Sequence, residues 1–433
     1  MLREITRISW FEGVQKICVI RKLSSRVKYV LGFETSCDDT ACAIVNSRGD
    51  IVAEVCESQL PFHNRLGGVV PVVARDLHNE KINTVTKEVL KQADISVHNV
   101  DAIAVTTKPG LMLSLMVGVN YAQKLALMYD KPLIPVHHME AHALISMLCH
   151  KNLDYPFLCL LLSGGHAQLV FVRCVDDFLL LGNTTDCAPG EVFDKIARRL
   201  KLKNLGEPYC SVSGGKAIEM LALQGDPYAY QNVHSAVPLS RIRNCDFSFS
   251  GLRSFEKLIG QQEAKHPDLE ADQILPEAFD IAASLQRVAT MHILKRLARA
   301  IEYIEYSELV KKEYIDNIVQ KTKLNLVVSG GVACNDYITE NIRKFCATLP
   351  NTDVEVFVPQ PKRLCNDNGV MIAWNGLLKL DEEGHSERKF SLVGSENINS
   401  IKIQSIAQLG TDIRKEVEHA NIPPAKIKLP NFQ

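Results

Sequence analysis

Two histidines spaced four residues apart, His138 and His142, are the side chains of this sequence best suited to holding a cation. On a helix this spacing puts both imidazoles on one face, where their nitrogens can share a metal ion. A histidine pair can also be purely structural, and that alternative stays open. Zinc peptidases place a glutamate directly after the first histidine, whereas Glu140 follows His138 by two residues. The pair therefore predicts a metal site that lacks the spacing of a zinc peptidase.

A third ligand for such a metal has to come from a distant part of the chain. Asp367 lies in the polar run Leu364–Gly369, where a helix is expected to begin. Its carboxylate is therefore either a metal ligand or the N-cap of that helix. Two histidines and one carboxylate would leave coordination positions open for a substrate, unlike a structural metal site. These residue types predict one divalent metal ion, with zinc or iron favoured.

Three glycine-bearing turns are the second chemical signal, at Gly32–Thr40, Leu162–His166 and Val328–Val332. Glycine lets backbone N–H groups approach an anion closely, and successive N–H groups form a nest for phosphate oxygens. A single Gly-Gly pair is usually an ordinary turn. Two Ser-Gly-Gly turns in corresponding positions of the two halves predict a nucleotide-binding cleft.

Acidic residues accompany these turns. Asp38 and Asp39 lie in the first one, and Asp194 lies in the segment Gly190–Lys195, which opens a helix. The segment Asp246–Leu252 alternates phenylalanine with serine, and its residue types alone indicate no more than a packed loop.

The elements that must position these residues recur in the same order in both halves of the chain. The predicted strands are Tyr29–Phe33, Ala41–Val45, Ile51–Glu54, Ala102–Thr106, Leu133–Val136, Phe157–Ser163, Ala167–Val172, Leu179–Gly182, Leu324–Ser329 and Val354–Val358. The predicted helices are Ala74–Ala93, Leu113–Tyr129, a stretch from about His138, Gly190–Leu200, Ala278–Ile304, Asn335–Ala347 and Asp367–Leu380.

Strands alternating with helices predict an α/β protein with mainly parallel sheets covered on both faces. Two copies of a three-strand hairpin followed by helices predict two similar lobes with a central cleft, the layout of actin-like, sugar-kinase and Hsp70-type ATPases. The expected lobes are residues 29–150 and 151–380, followed by a polar tail at 381–433. Gln261–Leu275 and Tyr303–Lys323 are expected to be surface excursions.

The composition bounds the class of protein. A chain of 433 residues with 46% hydrophobic and 23% charged residues can bury a large core, and its net charge of −1 indicates no global attraction to nucleic acid. One local basic stretch is either a solvated helix face or an RNA contact: Lys195, Arg198, Arg199, Lys201 and Lys203. The 13 cysteines form no Cys-x-x-Cys pair, which favours a reducing compartment. No window approaches the roughly 18 apolar residues of a membrane span.

The first 28 residues differ from the rest of the chain. They hold seven basic residues against two acidic ones, Glu4 and Glu12. An arginine-bearing, acid-poor leader is typical of a mitochondrial transit peptide. A plain N-terminal extension is the alternative.

Together these motifs resemble the tRNA N6-adenosine threonylcarbamoyltransferase family, formerly called O-sialoglycoprotein endopeptidases. The matching pieces are Glu34–Thr40, Gly67–Pro71, Pro135–His142, Leu162–His166, Pro189–Lys195, Asp246–Leu252, Ser329–Asn335 and Asn366–Ala373. They run in family order over roughly Tyr29–Leu380. With its basic leader, the chain looks like the mitochondrial branch, which the resemblance implies to be a homodimer in the matrix.

The resemblance implies a reaction and a set of residues. Threonylcarbamoyl-AMP, made by a separate synthase, would donate its acyl group to N6 of adenosine 37 in ANN-decoding tRNAs and release AMP. His138, His142 and Asp367 would hold the metal, and Asp38 would be the carboxylate nearest the chemistry. The acyl-adenylate would be held by Leu161, Leu162, Ser163, Gly164, Gly165, Asp194, Gly215, Glu219 and Asn335.

Three other classes of protein are alternatives to the transferase. A metallo-glycopeptidase is supported only by the histidine pair. An actin-fold ATPase or kinase would share the cleft but would not call for two helical histidines beside it. A catalytically silent scaffold would bind neither metal nor adenylate.

Overall fold

The computed structural model describes residues 26–230, 243–270, 272–307, 309–310, 314–315, 318–319, 322–382, 393–420 and 422. Its first sheet contains β1 (Tyr29–Glu34), β2 (Asp39–Asn46), β3 (Ile51–Ser58), β4 (Ala102–Lys108) and β5 (Leu133–His137). The spatial order is β3-β2-β1-β4-β5. The hairpin strands β1, β2 and β3 are antiparallel, and β4 and β5 continue parallel to β1.

Helices cover both faces of this first sheet. They are α2 (Pro71–Ala93), α3 (Met112–Tyr129) and α4 (His138–Cys149), together with α10 (Gly369–Glu382) from the end of the chain. The short helix α1 (Leu60–Leu66) connects β3 to α2. Helices α2 and α3 pack together over one face, while α10 crosses β1, β2 and β4 on the other. Close packing there requires glycine, because a Cβ at Gly32 would lie 2.4 Å from the backbone nitrogen of Ala373. The carboxyl ends of β1 and β5 and the start of α10 are thus brought to one edge.

The second sheet repeats this plan. It contains β6 (Phe157–Leu162), β7 (Ala167–Cys174), β8 (Asp177–Asn183), β11 (Thr322–Ser329), β12 (Thr352–Phe357) and β13 (Thr411–Asp412), in the spatial order β12-β11-β6-β7-β8-β13. Strands β6, β7 and β8 form the antiparallel hairpin, and β11 and β12 continue parallel to β6. Two short strands, β9 (Tyr314–Ile315) and β10 (Ile318–Val319), pair separately.

The helices of the second half are α5 (Pro189–Arg199), α6 (Gly214–Ala222), α7 (Ser254–Glu263), α8 (Ala278–Ser307), α9 (Asp336–Ala347) and α11 (Arg414–His419). The long α8 is buried along most of its length, and its apolar residues join the largest core of the described region. The duplicated sheets confirm the predicted α/β, two-lobed actin-like fold. The lobe limits at residues 150 and 380 stay a prediction, and α10 packs across onto the first sheet.

Several local predictions need correction. The helix expected at Asp367–Leu380 begins at Gly369, because the side-chain oxygen of Asn368 accepts a hydrogen bond from the backbone N–H of Met371 at 2.8 Å. Asn368 is therefore the N-cap, which leaves Asp367 outside the helix. The expected surface excursion at Gln261–Leu275 begins inside α7, and the Leu275 side chain is buried.

The polar tail is in part built into the fold. Strand β13 pairs with β8, and Ile398 is buried in the core of the first sheet. Strand pairing uses backbone groups, so weak side-chain periodicity did not reveal it. Residues 1–25 of the predicted leader, 383–392 and 423–433 of the tail, and much of the Tyr303–Lys323 excursion lie outside the described residues. Across the described ranges, no helix is both long and apolar enough to cross a bilayer.

Candidate active site

Three potential ligand atoms meet at the start of α4, two from the helix itself and one from the distant residue Asp367. The Nε2 atoms of His138 and His142 are 3.2 Å apart, and Asp367 Oδ1 lies 3.0 Å from His142 Nε2 and 3.5 Å from His138 Nε2. Tetrahedral ligands held about 2.1 Å from zinc lie roughly 3.4 Å from one another. The spacing of the triad therefore fits a single divalent cation, and within the described residues it is the one cluster with metal-ligand spacing.

The electrostatics of the triad favour a positive charge at its centre. His138 is almost fully buried, which lowers the pKa of its imidazole, but Asp367 and Glu34 overcome this effect and raise that pKa to about 9. Burial raises the pKa of Asp367, yet His138 and His142 bring it well below its usual range. Two carboxylates thus stabilise a proton on His138, and a metal ion would satisfy the same field.

Glu34, at the end of β1, belongs to this site although the sequence analysis gave it no role. Its side chain has no exposed surface, and its Oε2 lies 3.2 Å from His138 Nδ1. The same carboxylate accepts hydrogen bonds from the backbone N–H of Ser36 and the hydroxyl of Thr106, both at 2.5 Å. A carboxylate that ends an otherwise apolar, buried strand was the signal that could have identified it.

The first glycine-bearing turn follows Glu34 and carries the two aspartates. Its path is fixed by Gly110, where a Cβ would lie 2.6 Å from the carbonyl oxygen of Ser36. Burial raises the pKa of Asp38, and the negative charge of Asp367 contributes in the same direction. The pKa of Asp39 rises to about 7 for the same leading reason. Both acids lie within electrostatic range of the triad, and Asp39 can exchange a proton near neutral pH.

The Leu162–His166 turn lies within electrostatic range of the triad, because His138, His142 and Asp367 all influence His166. Its ends are joined by the backbone N–H of Ser163, which donates to the carbonyl oxygen of His166 at 2.8 Å. The backbones of Gly164 and Gly165 are exposed, and a Cβ on either would meet no atom within 4 Å. Burial, together with the neighbouring His138, lowers the pKa of His166 to about 4. This open glycine backbone therefore lies beside the metal triad.

The side chains of Leu161 and Leu162 are buried in β6, so the predicted substrate contacts of these two residues could involve only their backbone. The second Ser-Gly-Gly turn packs directly on this strand. Gly330 has φ of +98°, and a Cβ there would lie 2.3 Å from the carbonyl oxygen of Leu162. A Cβ at Gly331 would lie 3.1 Å from Oδ1 of Asn366, the neighbour of Asp367. The two turns and the Asp367 loop are therefore contiguous. The expectation that the two Ser-Gly-Gly turns occupy corresponding positions of the two halves was wrong, because β6 and β11 are neighbouring strands of the second sheet.

Four further predicted substrate-binding residues lie around the turns, with their polar atoms already engaged. Asp194 Oδ1 accepts from the backbone N–H of Gly215 at 3.0 Å, and Glu219 Oε1 accepts from that of Asp336 at 2.7 Å. Asn335 caps α9 through its side-chain oxygen and donates to Gln286 Oε1 at 2.8 Å. These contacts give the four residues a structural part. Their contact with a substrate stays a prediction.

Comparison with known proteins gives consistent results. The family model described as tRNA N6-adenosine threonylcarbamoyltransferase matches residues 50–374. A mitochondrial protein of that name from Rattus norvegicus is 43% identical over 406 residues, covering 93% of this chain and 91% of the relative. The Homo sapiens protein of the same name is 43% identical over 403 residues with the same coverage. Among solved structures, component A of an Acidaminococcus fermentans (R)-2-hydroxyglutaryl-CoA dehydratase aligns with TM-score 0.45 and 14% identity, over 82% of this chain and 99% of its own.

Proposed function

The chain belongs to the tRNA N6-adenosine threonylcarbamoyltransferase family, and from this premise we propose that its cleft transfers a threonylcarbamoyl group from threonylcarbamoyl-AMP to N6 of adenosine 37 in ANN-decoding tRNAs. The observation that carries the proposal is the convergence of His138, His142 and Asp367 beside an open glycine backbone. Neither a peptidase nor a kinase accounts for this pairing of a three-ligand metal site with a Ser-Gly-Gly turn.

The metal triad and the glycine turns have separate tasks in this reaction. His138, His142 and Asp367 would hold a divalent ion, with zinc or iron favoured by the mixed nitrogen and oxygen ligands. When bound, such an ion polarises a carbonyl or neutralises a leaving phosphate, worth several kcal/mol at a transition state. The backbone N–H groups around Gly164 and Gly165 would hold the adenylate phosphate, which remains with AMP as it leaves.

Asp38 supplies the base in this scheme. The adenine N6 amine is a poor nucleophile, since its lone pair is delocalised into the ring, so its orientation and proton removal limit the step. As N6 attacks the carbamoyl carbon, a C–N bond forms, the C–O bond to the phosphate breaks, and AMP departs. The N6 proton passes to Asp38, whose carboxylate has a pKa raised toward the working pH by burial.

The basic stretch after Asp194 is the surface we assign to the tRNA backbone. Lys203 Nζ donates to the carbonyl oxygen of Asn64 in α1 at 3.2 Å, so this stretch adjoins the first lobe. Arg198 is exposed, while Lys195 and Arg199 pair with carboxylates of the chain. Exposed cations of this kind bind phosphates and make the affinity fall with salt. Changing Arg198 to Ala should lower tRNA affinity and its salt dependence, while affinity for free adenylate stays constant.

We further propose that the protein acts in the mitochondrial matrix as a homodimer, using threonylcarbamoyl-AMP supplied by a separate synthase. The names of the relatives and the basic leader support the compartment. Exposed Met112, Met116 and Leu127 on α3 offer an apolar face for a second copy.

One experiment tests the proposed function. Purified protein is incubated with threonylcarbamoyl-AMP and an ANN-decoding tRNA, with and without a chelator, and the nucleosides are analysed by mass spectrometry. We expect threonylcarbamoyladenosine only when metal is present, with no cleavage of glycopeptides. Product formation unaffected by complete metal removal, or no product from any ANN-decoding tRNA, would refute the proposal.

A further inference from the structure

Glu34 is a buried carboxylate for which the transfer reaction described above provides no task. Its side chain is completely inaccessible, at the end of the central strand β1. An ionised carboxylate in such a place is costly unless every lone pair finds a donor. Its surroundings therefore show what the residue is for.

Both carboxylate oxygens act as acceptors. Oε1 receives the backbone N–H of Ser36 at 2.5 Å, and Oε2 receives the Thr106 hydroxyl at 2.5 Å. The third neighbour is His138 Nδ1, which lies 3.2 Å from Oε2. The Ser36 hydroxyl also lies 3.3 Å from Nδ1, and a hydroxyl can donate or accept. An ionised carboxylate can only accept, so Glu34 favours the tautomer with the imidazole proton on Nδ1.

The position of that proton decides what the other ring nitrogen can do. Metal binding requires a neutral imidazole. Because Nδ1 keeps its proton against Glu34, the Nε2 of His138 then has a free lone pair. This is the atom that lies 3.2 Å from His142 Nε2 and 3.5 Å from Asp367 Oδ1. The corresponding Nδ1 of His142 is buried and has no hydrogen-bond partner among the described residues. Only one of the two histidines is therefore held in a ligand-ready tautomer by a protein carboxylate.

We propose that Glu34 is a positioning residue that fixes the ring and tautomer of His138, making His138 the preorganised ligand of the metal site. The inference rests on the proposed function, because it takes the triad as a metal centre. A carboxylate behind a metal-binding histidine orients the ring and raises its basicity, and its loss typically weakens metal affinity about 10- to 100-fold.

The substitution Glu34→Gln separates this role from simple packing. The glutamine oxygen can replace Oε1 as the acceptor for Ser36 N–H, which puts the NH₂ group in the place of Oε2. One N–H then points at His138 Nδ1 and the other at the Thr106 hydroxyl, which can donate instead to the carbonyl oxygen of Phe33 at 3.5 Å. The size and the turn are preserved, but the His138 proton moves to Nε2 and blocks the metal.

The test is zinc(II) binding to the metal-free full-length protein, measured by competition with a chromophoric chelator, with tRNA and adenylate absent. We expect Glu34→Gln to weaken zinc binding 10- to 100-fold. In histidine-labelled ¹⁵N spectra recorded at a pH where the His138 ring is neutral, one histidine should change from the Nδ1–H to the Nε2–H tautomer. Glu140→Gln is the matched control, since Glu140 lies on the same helix as His138 but pairs with Lys379 at 2.9 Å. Its zinc affinity should equal that of the unmodified protein.

Should Glu34→Gln fail to fold, Glu34→Asp takes its place. It keeps the charge but withdraws it from His138 by one methylene, and we expect a loss of roughly tenfold in zinc affinity. Affinity within twofold of the unmodified protein overturns the inference for either variant, and so does a loss of affinity in Glu34→Gln with no change of tautomer. No zinc binding by the unmodified protein overturns it together with the metal site. Intact zinc binding with the expected Glu34 effect, but no acyl transfer, supports the inference and overturns only the proposed function.

Discussion

The clusters around His138 and around His292 contain the same kinds of side chain, but their polar atoms are arranged in opposite ways. In the first, a ring nitrogen each of His138 and His142 and a carboxylate oxygen of Asp367 face one another, with only a proton or a metal ion to share between them. In the second, Ser248 donates its backbone N–H to His292 Nε2 at 3.1 Å, while its hydroxyl donates to Asp186 Oδ2. Acceptors that face each other need a cation between them, whereas acceptors that face N–H and O–H donors are already satisfied. The first arrangement serves a ligand, and the second holds a loop.

The two histidines also show that neighbouring charges, and not burial alone, decide the protonation state. Both rings are almost fully buried. Carboxylates beside His138 raise its pKa to about 9, whereas burial, helped by Arg296 and Lys295, lowers the pKa of His292 to about 3. His292 is therefore a neutral core residue, packed edge-on against Phe249 with ring centroids 5.1 Å apart.

Removing an acceptor from the first cluster should have the largest effect. Asp367→Asn deletes the only carboxylate among the three ligands, and the loss of metal should lower transfer by about three orders of magnitude, equivalent to several kcal/mol at the transition state. Circular dichroism and bound-metal analysis would accompany the kinetics. Full metal content with normal transfer would show that Asp367 is not a ligand of the metal.

Asp38→Asn should have the next largest effect. It removes the proposed base but none of the metal ligands, so transfer should fall by about 10²-fold or more while metal content and folding are retained. Single-turnover assays with saturating adenylate would isolate the chemical step. Asp39→Asn is the neighbouring control. Undiminished transfer by the Asp38 variant would refute its assignment.

A substitution in the His292 cluster should lower the stability of the protein and leave its activity unchanged. His292→Gln keeps an acceptor for Ser248 N–H but loses the packing against Phe249, so the free energy of unfolding should fall by about 1–2 kcal/mol at pH 8. Urea unfolding measures this change, and transfer per folded molecule should stay the same. A large loss of activity with unchanged stability would place His292 in the reaction.

The same variant gives a pH test whose sign follows from the lowered pKa. The unfolded ring takes up its proton near pH 6.5, and the folded ring only near pH 3. The stabilising contribution of neutral His292 is therefore complete above pH 6.5 and declines as the pH falls toward 3, by roughly 3 kcal/mol at pH 4. Because glutamine does not titrate, the stability gap between variant and unmodified protein should close or reverse on acidification. A gap that widens toward pH 4 would contradict the assignment.

The contrast between the clusters also shows what the sequence could predict. The spacing of His138 and His142 is a local property of one helix, so periodicity alone placed both imidazoles on one face. Asp367 joins them because α10 packs on β1, a contact between residues more than 300 positions apart. Gly32 and Gly369 allow this contact, since a side chain at either position would collide with the facing backbone. Residue types left its cap and ligand roles equally open. Only the family resemblance selected the ligand role, and the structure gave the cap to Asn368.

Backbone contacts explain the other omissions. Glu34 was missed because a charged residue at a strand end normally indicates exposure, and only three-dimensional packing shows that β2, β4 and α4 enclose it. The strand in the tail was missed because it is recognised by hydrogen-bond pairing with β8 and not by apolar alternation. The repeated hairpin of the two lobes was predictable, because strand and helix periodicity recur in the same order.

The smallest effect should come from substituting Gly164 in the Leu162–His166 turn. This substitution tests whether the backbone of the turn binds a ligand or only packs against its neighbours. A Cβ at Gly164 meets no atom within 4 Å, so Gly164→Ala should change the free energy of unfolding by less than about 0.5 kcal/mol. A Cβ at Gly190, in contrast, would lie 2.8 Å from Gly164 Cα, so Gly190→Ala must displace α5 from the turn. If the open backbone holds the adenylate phosphate, Gly164→Ala should raise the KM for threonylcarbamoyl-AMP by up to about tenfold with kcat little changed, because the methyl group occupies the approach of the phosphate. An unchanged KM in a stable Gly164→Ala protein would mean that the phosphate is bound elsewhere. The turn would then have a purely structural role, as the His292 cluster does.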